Sequence, residues 1–438
     1  MINSYKITDF GAQVCDALQT EKIQAALDAC FLAGGGKVIV PKGVFRTGSI
    51  RLRSNVTLYL ETGAMLKASR NHEDYSAYRE DKIEPVDFSK YEGLRSFCVD
   101  PTSKWSNGII KVIEAENVAV IGEPGSFIDG VDCYDPVGEE SYRGPHGIIM
   151  HNVKNLHLEG YTLMNTGNWA HAILHTQGIT VKNITVLGGH DGFDLFDCDN
   201  VLMENCEYYV GDDAIAGYGN KDVLIRNCFF NTSCSSLRFG GTDVLVDNCT
   251  AKAPGAFGHR LTLTDEQKKI SAPTDENTRH NTITPFQYYC DFRLGDLRYA
   301  AGNITFKNCK FDGADSIILH PFDGKHKWCD NRGLNSLSFV DCEILGLSKK
   351  GVIHADENEP LDLRFKNVKI SARETGADFP IFDAKRCKYI EFDNVTVEGF
   401  KDPRIVTDRA DRVNIINGTG IRVIEEAVTV KAGDLTQN

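Results

Sequence analysis

Along most of the chain, apolar residues alternate with polar ones for four or five positions, stop at an Asn, Asp or Gly, and begin again. The recurring phrase is polar, aliphatic, any, aliphatic or Phe, any, then Asn, Asp or Gly. It reads NVAVIG at Asn117, NLHLEG at Asn155, GITVKN at Gly178, NVLMEN at Asn200, DVLIRN at Asp222 and DVLVDN at Asp243. It returns as NITFKN at Asn303, SLSFVD at Ser336, DLRFKN at Asp362, YIEFDN at Tyr389 and RVNIIN at Arg412. A period of two marks a strand buried on one face. From Asn155 to Asp243 the phrases recur roughly every 22 residues, and a fixed period with one short strand per repeat signals a solenoid. No sustained helical pattern fills the gaps, which disfavours leucine-rich and ankyrin repeats. The expected fold is all-β: a single-stranded right-handed parallel β-helix forming one domain over residues 1–438, with coils from about 41 to 425.

Equivalent positions of successive coils stack along the axis. Asn205-Cys206, Asn227-Cys228, Asn248-Cys249, Asn308-Cys309 and Asp341-Cys342 share one phrase position. The Asn side chains are expected to bond the backbone of neighbouring coils, with Cys serving as a small buried hydrophobe. Before the coils, Glu21 to Ala33 has helical periodicity, with Thr20 placed as N-cap and Gly34 as a stop. Within a cap spanning about 1–40, this helix would plug the open end of the solenoid. Two stretches, about 71–106 and 251–299, break the period and are read as long loops. Loops on one face of a rigid scaffold usually build the binding site.

Composition narrows the partners. With 48 Lys and Arg against 61 Asp and Glu, the net charge of −13 disfavours nucleic acid and anionic lipid. No apolar run is long enough to span a bilayer, and the start lacks the pattern of a secretory leader. The 14 Cys include no CxxC pair and lack the density of a disulfide scaffold. These features lead to the expectation of a cytoplasmic protein with no membrane, nucleic-acid or cofactor requirement; homo-oligomerisation is left open.

Chemistry concentrates between Gly188 and Asn220, which carries Asp191, Asp194, Asp197, Asp199, Asp212 and Asp213. Asp191 and Asp212 are about one repeat apart and so belong on adjacent coils. Crowded carboxylates split their pKa values, leaving one acid and one base, as glycosidic cleavage requires. Asp197 and Asp199 are read as turn or solvated residues. A carboxylate cluster could alternatively hold calcium, which would point to a lyase.

DFGA at Asp9 to Ala12, the stretch from Pro41 to Leu66, NTGNWAHAILHTQGITVKNITV, HDGFD and GDDAIA together resemble the polygalacturonase family of glycoside hydrolases, family 28, of the pectin-lyase-like superfamily. The resemblance runs to about Asp247. It implies inverting hydrolysis with Asp212 as general acid and with Asp191 and Asp213 activating water. An inverting pair is spaced roughly 6.5–9.5 Å apart. Three motif positions depart from the family. Gly217-Tyr218-Gly219 stands where the family has an apolar pair and a Lys. CSSLRFGG replaces the GHG motif, with Ser235 its nearest match and no His. Arg260-Leu261-Thr262 keeps the Arg of RIK and loses its Lys. Two missing lysines and an acidic charge favour a neutral or less charged glycoside, since a carboxylate wants charge-assisted donors.

Candidate substrate contacts are Asp194, His190, Arg238, His259, Arg260, Tyr218 and Tyr289, with no metal ligand assigned. His190 adjoins Asp191, and Arg238 falls about one coil further along the same face. His259, Arg260, Tyr288 and Tyr289 lie in the second insertion, where rings could stack on sugars. His171 and His175 are read as turn or sugar residues, and His320, Lys325, His326 and Trp328 as a second polar-aromatic loop. The expected function is an exo-acting glycosidase that trims an oligosaccharide. A uronate lyase or epimerase and a non-catalytic carbohydrate-binding β-helix are the alternatives. Convergence of the acids in an open groove separates hydrolysis from burial in ion pairs.

Overall fold

The computed structural model describes residues 3–92, 100–260, 278–290, 299–321, 333–356, 358, 360–408, 412–417 and 420–425. Among these, short strands follow one another in parallel ladders from Ser4–Lys6 to Arg422–Glu425, with one α-helix, Thr20–Leu32. Each repeat phrase is a strand with alternating burial, as in Asp199–Glu204, where Val201 and Met203 point inward. The register advances by one coil at a time: Leu156 pairs Ile179, Ile179 pairs Val201, Val201 pairs Val223, and Val223 pairs Val244. Coils therefore stack like on like at the strand spacing of about 4.8 Å.

Stacked side chains fill the axis. Phe306, Phe339, Phe365 and Phe392 form a run of parallel rings with centroids 5.0, 5.4 and 5.2 Å apart. Cys206, Cys228, Cys249, Cys309 and Cys342 are all buried, and each thiol faces the carbonyl two residues earlier, from 3.1 to 3.4 Å away. The Asn ladder works differently from the sequence expectation. Asn248 Nδ2 donates to Asn227 Oδ1 at 2.8 Å, Asn308 to Asp247 at 2.8 Å, and Asn394 to Asn367 at 2.9 Å, so the ladder is side chain to side chain. These asparagines are exposed rather than buried, and Asn205, Asn227, Asn248 and Asn308 all have φ between 50° and 55°. Their common role is to turn the corner in the left-handed region, which Asn tolerates best after Gly.

The helix buries Ile23, Ala26, Leu27 and Cys30 against the first coil, as a plug should. Its N-cap is Gln19 rather than Thr20, because the Thr20 hydroxyl instead accepts the Gly48 N–H at 2.8 Å. Strand pairing also begins before residue 41. Gly36–Val40 already pairs with Val56–Leu60 on one side and Ser4–Lys6 on the other, so the plug sits on coil rather than preceding it. The second insertion is spanned by the ladder itself: Arg238 pairs directly with Gln287, and Val244 with Ile304. No helix of the described residues is long and apolar enough to cross a membrane.

Asn227→Ala removes a rung and places a Cβ-bearing, non-Asn residue at φ 54°. It should lower stability by about 1–2 kcal/mol, and Asn227→Gly by less, because Gly restores the backbone term but not the hydrogen bond. Urea titration checks this, and equal losses in the two variants would contradict the turn role.

Candidate active site

Asp191 precedes the strand Phe193–Phe196, and Asp212 with Asp213 precedes Ile215–Arg226. Phe193 pairs with Ile215, which pairs with Leu237, so Asp191, Asp213 and Ser235 stack on three successive coils, with His190, Asp212 and Cys234 stacked beside them. The carboxylates are built into the ladder. Asp191 Oδ1 accepts the Asp213 N–H at 2.8 Å, and Asp213 Oδ1 accepts the Ser235 N–H at 3.0 Å. Each keeps a second oxygen for other partners. One oxygen from each of Asp191, Asp212 and Asp213 lies within 4.8 Å of the others.

Two arginines hold the cluster. Arg238 Nε is 2.9 Å from Asp213 Oδ2, and its guanidinium stacks on the Tyr289 ring at 4.4 Å. Arg260 Nε is 2.6 Å from Asp212 Oδ2, while its Nη1 reaches Glu140 Oε1 at 2.9 Å. His259 Nδ1 lies 3.7 Å from Asp212 Oδ1 and 3.1 Å from the Gly211 carbonyl. Gly211 makes this docking feasible, since a Cβ there would come within 2.1 Å of the Gly258 carbonyl and 2.4 Å of that of Gly189. The segment carrying His259 and Arg260 can settle on the coil only because residue 211 has no side chain.

Electrostatics divide the acids. Burial pushes the Asp191 carboxyl well above the usual range, and Asp212 and Asp213 add to it. Asp194 is raised well above by burial and then by Asp191. It is fully buried, and neither of its carboxylate oxygens has a hydrogen-bond partner among the described residues. Burial also raises Asp213, against the pull of Arg238. For Asp212 burial is outweighed by Arg260, then His259, Arg238 and Arg143, which together hold its carboxyl well below the usual range. Burial thus favours the protonated form of Asp191 and Asp194, and the neighbouring cations favour the charged form of Asp212. Arg260 is the largest of the charges that lower Asp212.

Other expected contacts divide between site and core. His190 is buried beside the cluster, its ring stacked under Tyr142 with centroids 6.3 Å apart, and burial holds its imidazole well below the usual value. Tyr218 and Tyr289 are 0% and 1% exposed and pack edge to face at 4.9 Å in a cluster with Trp169 and Phe196. Their faces are taken by neighbours, so they offer no sugar-stacking surface. Tyr288 is likewise buried, against His320 at 4.7 Å, which makes His320 a core residue. His171 stacks on Phe193 at 3.8 Å in the core, whereas His175 sits in a turn at φ 51° and meets Asp197 at 2.9 Å. Lys325, His326, Trp328, Leu261 and Thr262 lie outside the described residues. Three neighbours of the cluster were not anticipated: Glu140, Tyr142 and Arg143, from a hairpin that Tyr134–Arg143 and Glu139–Arg143 bridges close. Their signal was the 16 residues between the strands Phe127–Asp129 and His146–His151, more than a turn requires.

Residues 35–238 match the model for glycosyl hydrolases family 28, and residues 170–320 that for a right-handed β-helix region. The fold is a right-handed parallel β-helix. Over residues 35–238 the chain is similar to the family 28 glycosyl hydrolases. It is 24% identical to an exo-poly-alpha-D-galacturonosidase of Dickeya chrysanthemi, over 90% of this chain and 74% of that one. Among solved structures, a family 28 exopolygalacturonase of Yersinia enterocolitica superposes with a TM-score of 0.60 at 16% identity, covering 98% of this chain and 79% of that one. A surface adhesin of Streptococcus pneumoniae does so with 0.56 at 13%, covering 97% and 90%. The two together show that the fold is shared by enzymes and adhesins, so the chemistry must be argued from the site.

The Arg260 pair gives a pH signature. A lowered Asp212 contributes stability above the ordinary aspartate range that is lost as pH falls through its lowered folded value. Arg260→Gln should therefore cost about 1–2 kcal/mol at neutral pH, a figure discounted because Arg260 is 31% exposed. The gap should narrow as pH falls through the ordinary aspartate range towards the lowered value of the paired Asp212, because the unpaired carboxylate takes up its proton first. A gap of constant size across that range, in urea titrations, would show that the pair does not set the Asp212 charge.

Proposed function

We propose that the protein hydrolyses O-glycosidic bonds of a plant-type or related oligosaccharide or glycoside, acting from a chain end. The observation that carries this reading is the convergence of three carboxylates on adjacent coils with opposed protonation, one charged beside Arg260 and one protonated by burial. Such a pair is what acid–base cleavage of an acetal needs. The exo-acting names of the relatives from Dickeya and Yersinia support end-wise action.

Arg260 sets which carboxylate holds the proton. When a sugar enters and its hydroxyls draw the guanidinium away from Asp212, the balance that keeps Asp212 charged is gone, and the proton passes to it from Asp191. Asp212 then protonates the leaving oxygen, while Asp191 and Asp213, now both charged, take a proton from the attacking water. The proton taken from water stays on Asp191 and the one given up by Asp212 leaves with the alcohol, which restores the starting state with Asp212 charged. A lyase with a calcium ion fits less well, because two guanidinium groups already stand 2.6 and 2.9 Å from the carboxylates a cation would need.

Asp212→Asn should reduce turnover by about 10³-fold or more with the melting temperature nearly unchanged; wild-type rates in that variant would remove Asp212 from the chemistry. The product anomer, followed by NMR in the first minutes, should be inverted. Retention would mean that the close spacing of the acids instead serves a covalent intermediate.

A further inference from the structure

Next to the acidic cluster, on the side from which the coils start, the hairpin 134–143 stands over a cleft of about 150 Å³. Its lining includes Lys104, Trp105, Asn107, Asp135, Arg143 and Asn168. Asn168 stacks one coil before His190, and His190 one coil before Asp212, so the cleft begins about 10 Å, two coil steps, from the acid. That is the reach of a single sugar ring. The volume is also that of a cavity that takes one six-membered ring.

The lining says which ring. Asn107 is 8% exposed, and its side-chain amide makes no hydrogen bond among the described residues. Asn168 is 2% exposed and uses its Oδ1 for the Arg143 guanidinium at 3.3 Å and the Trp169 N–H at 3.0 Å, leaving its Nδ2 without a partner among the described residues. Neither amide is among the fully buried atoms that lack a partner, so the unpaired groups open to solvent in the cleft they line, where a hydroxyl can meet them. Trp105, half-buried and backed by Trp169 at 5.8 Å, supplies an apolar wall. The cations, by contrast, are already committed. Lys104 lies 3.2 Å from Asp135 and donates to the Val137 carbonyl at 2.7 Å. Arg143 lies 3.5 Å from Glu139 and 3.3 Å from Glu140, which balance its charge, although its Nε makes no hydrogen bond among the described residues. A uronate carboxylate would find both cations there already faced by carboxylates and would itself face Asp135 and Glu139.

We infer that this cleft holds the terminal sugar of the substrate and that this sugar is an uncharged pyranose. The inference rests on the glycosidase reading, but its test does not depend on turnover. Saturation-transfer NMR of the full chain with D-galactose, D-xylose and L-rhamnose, each against sodium D-galacturonate, reads binding directly. At least one neutral sugar should bind, galacturonate should bind at least about tenfold more weakly, and Asn107→Ala should weaken the neutral sugar about tenfold while its melting temperature stays at the wild-type value. Galacturonate binding as tightly as the neutral sugars would overturn the inference. So would no sugar binding to wild type, or an Asn107→Ala variant that binds like wild type. Should neutral sugars bind through Asn107 while no oligosaccharide is cleaved, the hydrolase reading falls and the cleft stands. Cleavage with an unaltered kcat/KM in Asn107→Ala does the reverse: hydrolysis stands, and the cleft loses its place in substrate binding.

Discussion

Everything in this protein depends on the in-register stacking of one coil on the next. Parallel backbone ladders force equivalent residues to lie directly over one another, so any residue type that recurs at the period becomes a column. For Phe306, Phe339, Phe365 and Phe392, for the thiols and for the corner asparagines, the column is favourable. For aspartate it is not. Asp191 and Asp213 are stacked by the same ladder, with Asp212 beside them, and like charges are brought together that free side chains would keep apart. The scaffold thus imposes the electrostatic conflict on which acid–base chemistry can draw.

That conflict is held in check from outside the coils. The segment bearing Arg260 and the hairpin bearing Glu140 are joined across the site by one guanidinium that touches both Asp212 and Glu140. Arg238, from the coil itself, balances Asp213 and is fixed by the face of Tyr289. Rigid coils therefore set the positions of the acids, and the loops set their charges. The cleft beneath the hairpin extends the same division of labour, with Asn168 from the coil and Asn107 and Arg143 from connecting segments.

The fold was legible because periodic alternation survives any one substitution, and the acids because the repeat length converts sequence distance into adjacency. Ladder polarity was not: the same Asn at φ near 54° can bond backbone or side chain, and only the coil geometry chooses the latter. Tyr218 and Tyr289 read as sugar platforms because exposure cannot be seen in composition, and here they close on Trp169 and Phe196 instead. The charge on Asp212 was out of reach for another reason. It is set by Arg260, 48 residues away and outside the repeat, where spacing carries no positional information. Glu140 and Arg143 were hidden in the same way, inside a gap that the period does not index.

The thiol column has a consequence of a different kind. Of the cysteines among the described residues, only Cys15 is exposed, and eleven others are buried, five of them in a single file along the axis. Of these twelve, a thiol reagent added to the native protein meets Cys15, at the plugged end, and gains the buried ones only as coils separate. Because each coil from Cys206 to Cys342 contributes its own sulfur, the number of thiols labelled at a given moment records how far the stack has come apart, and from which end.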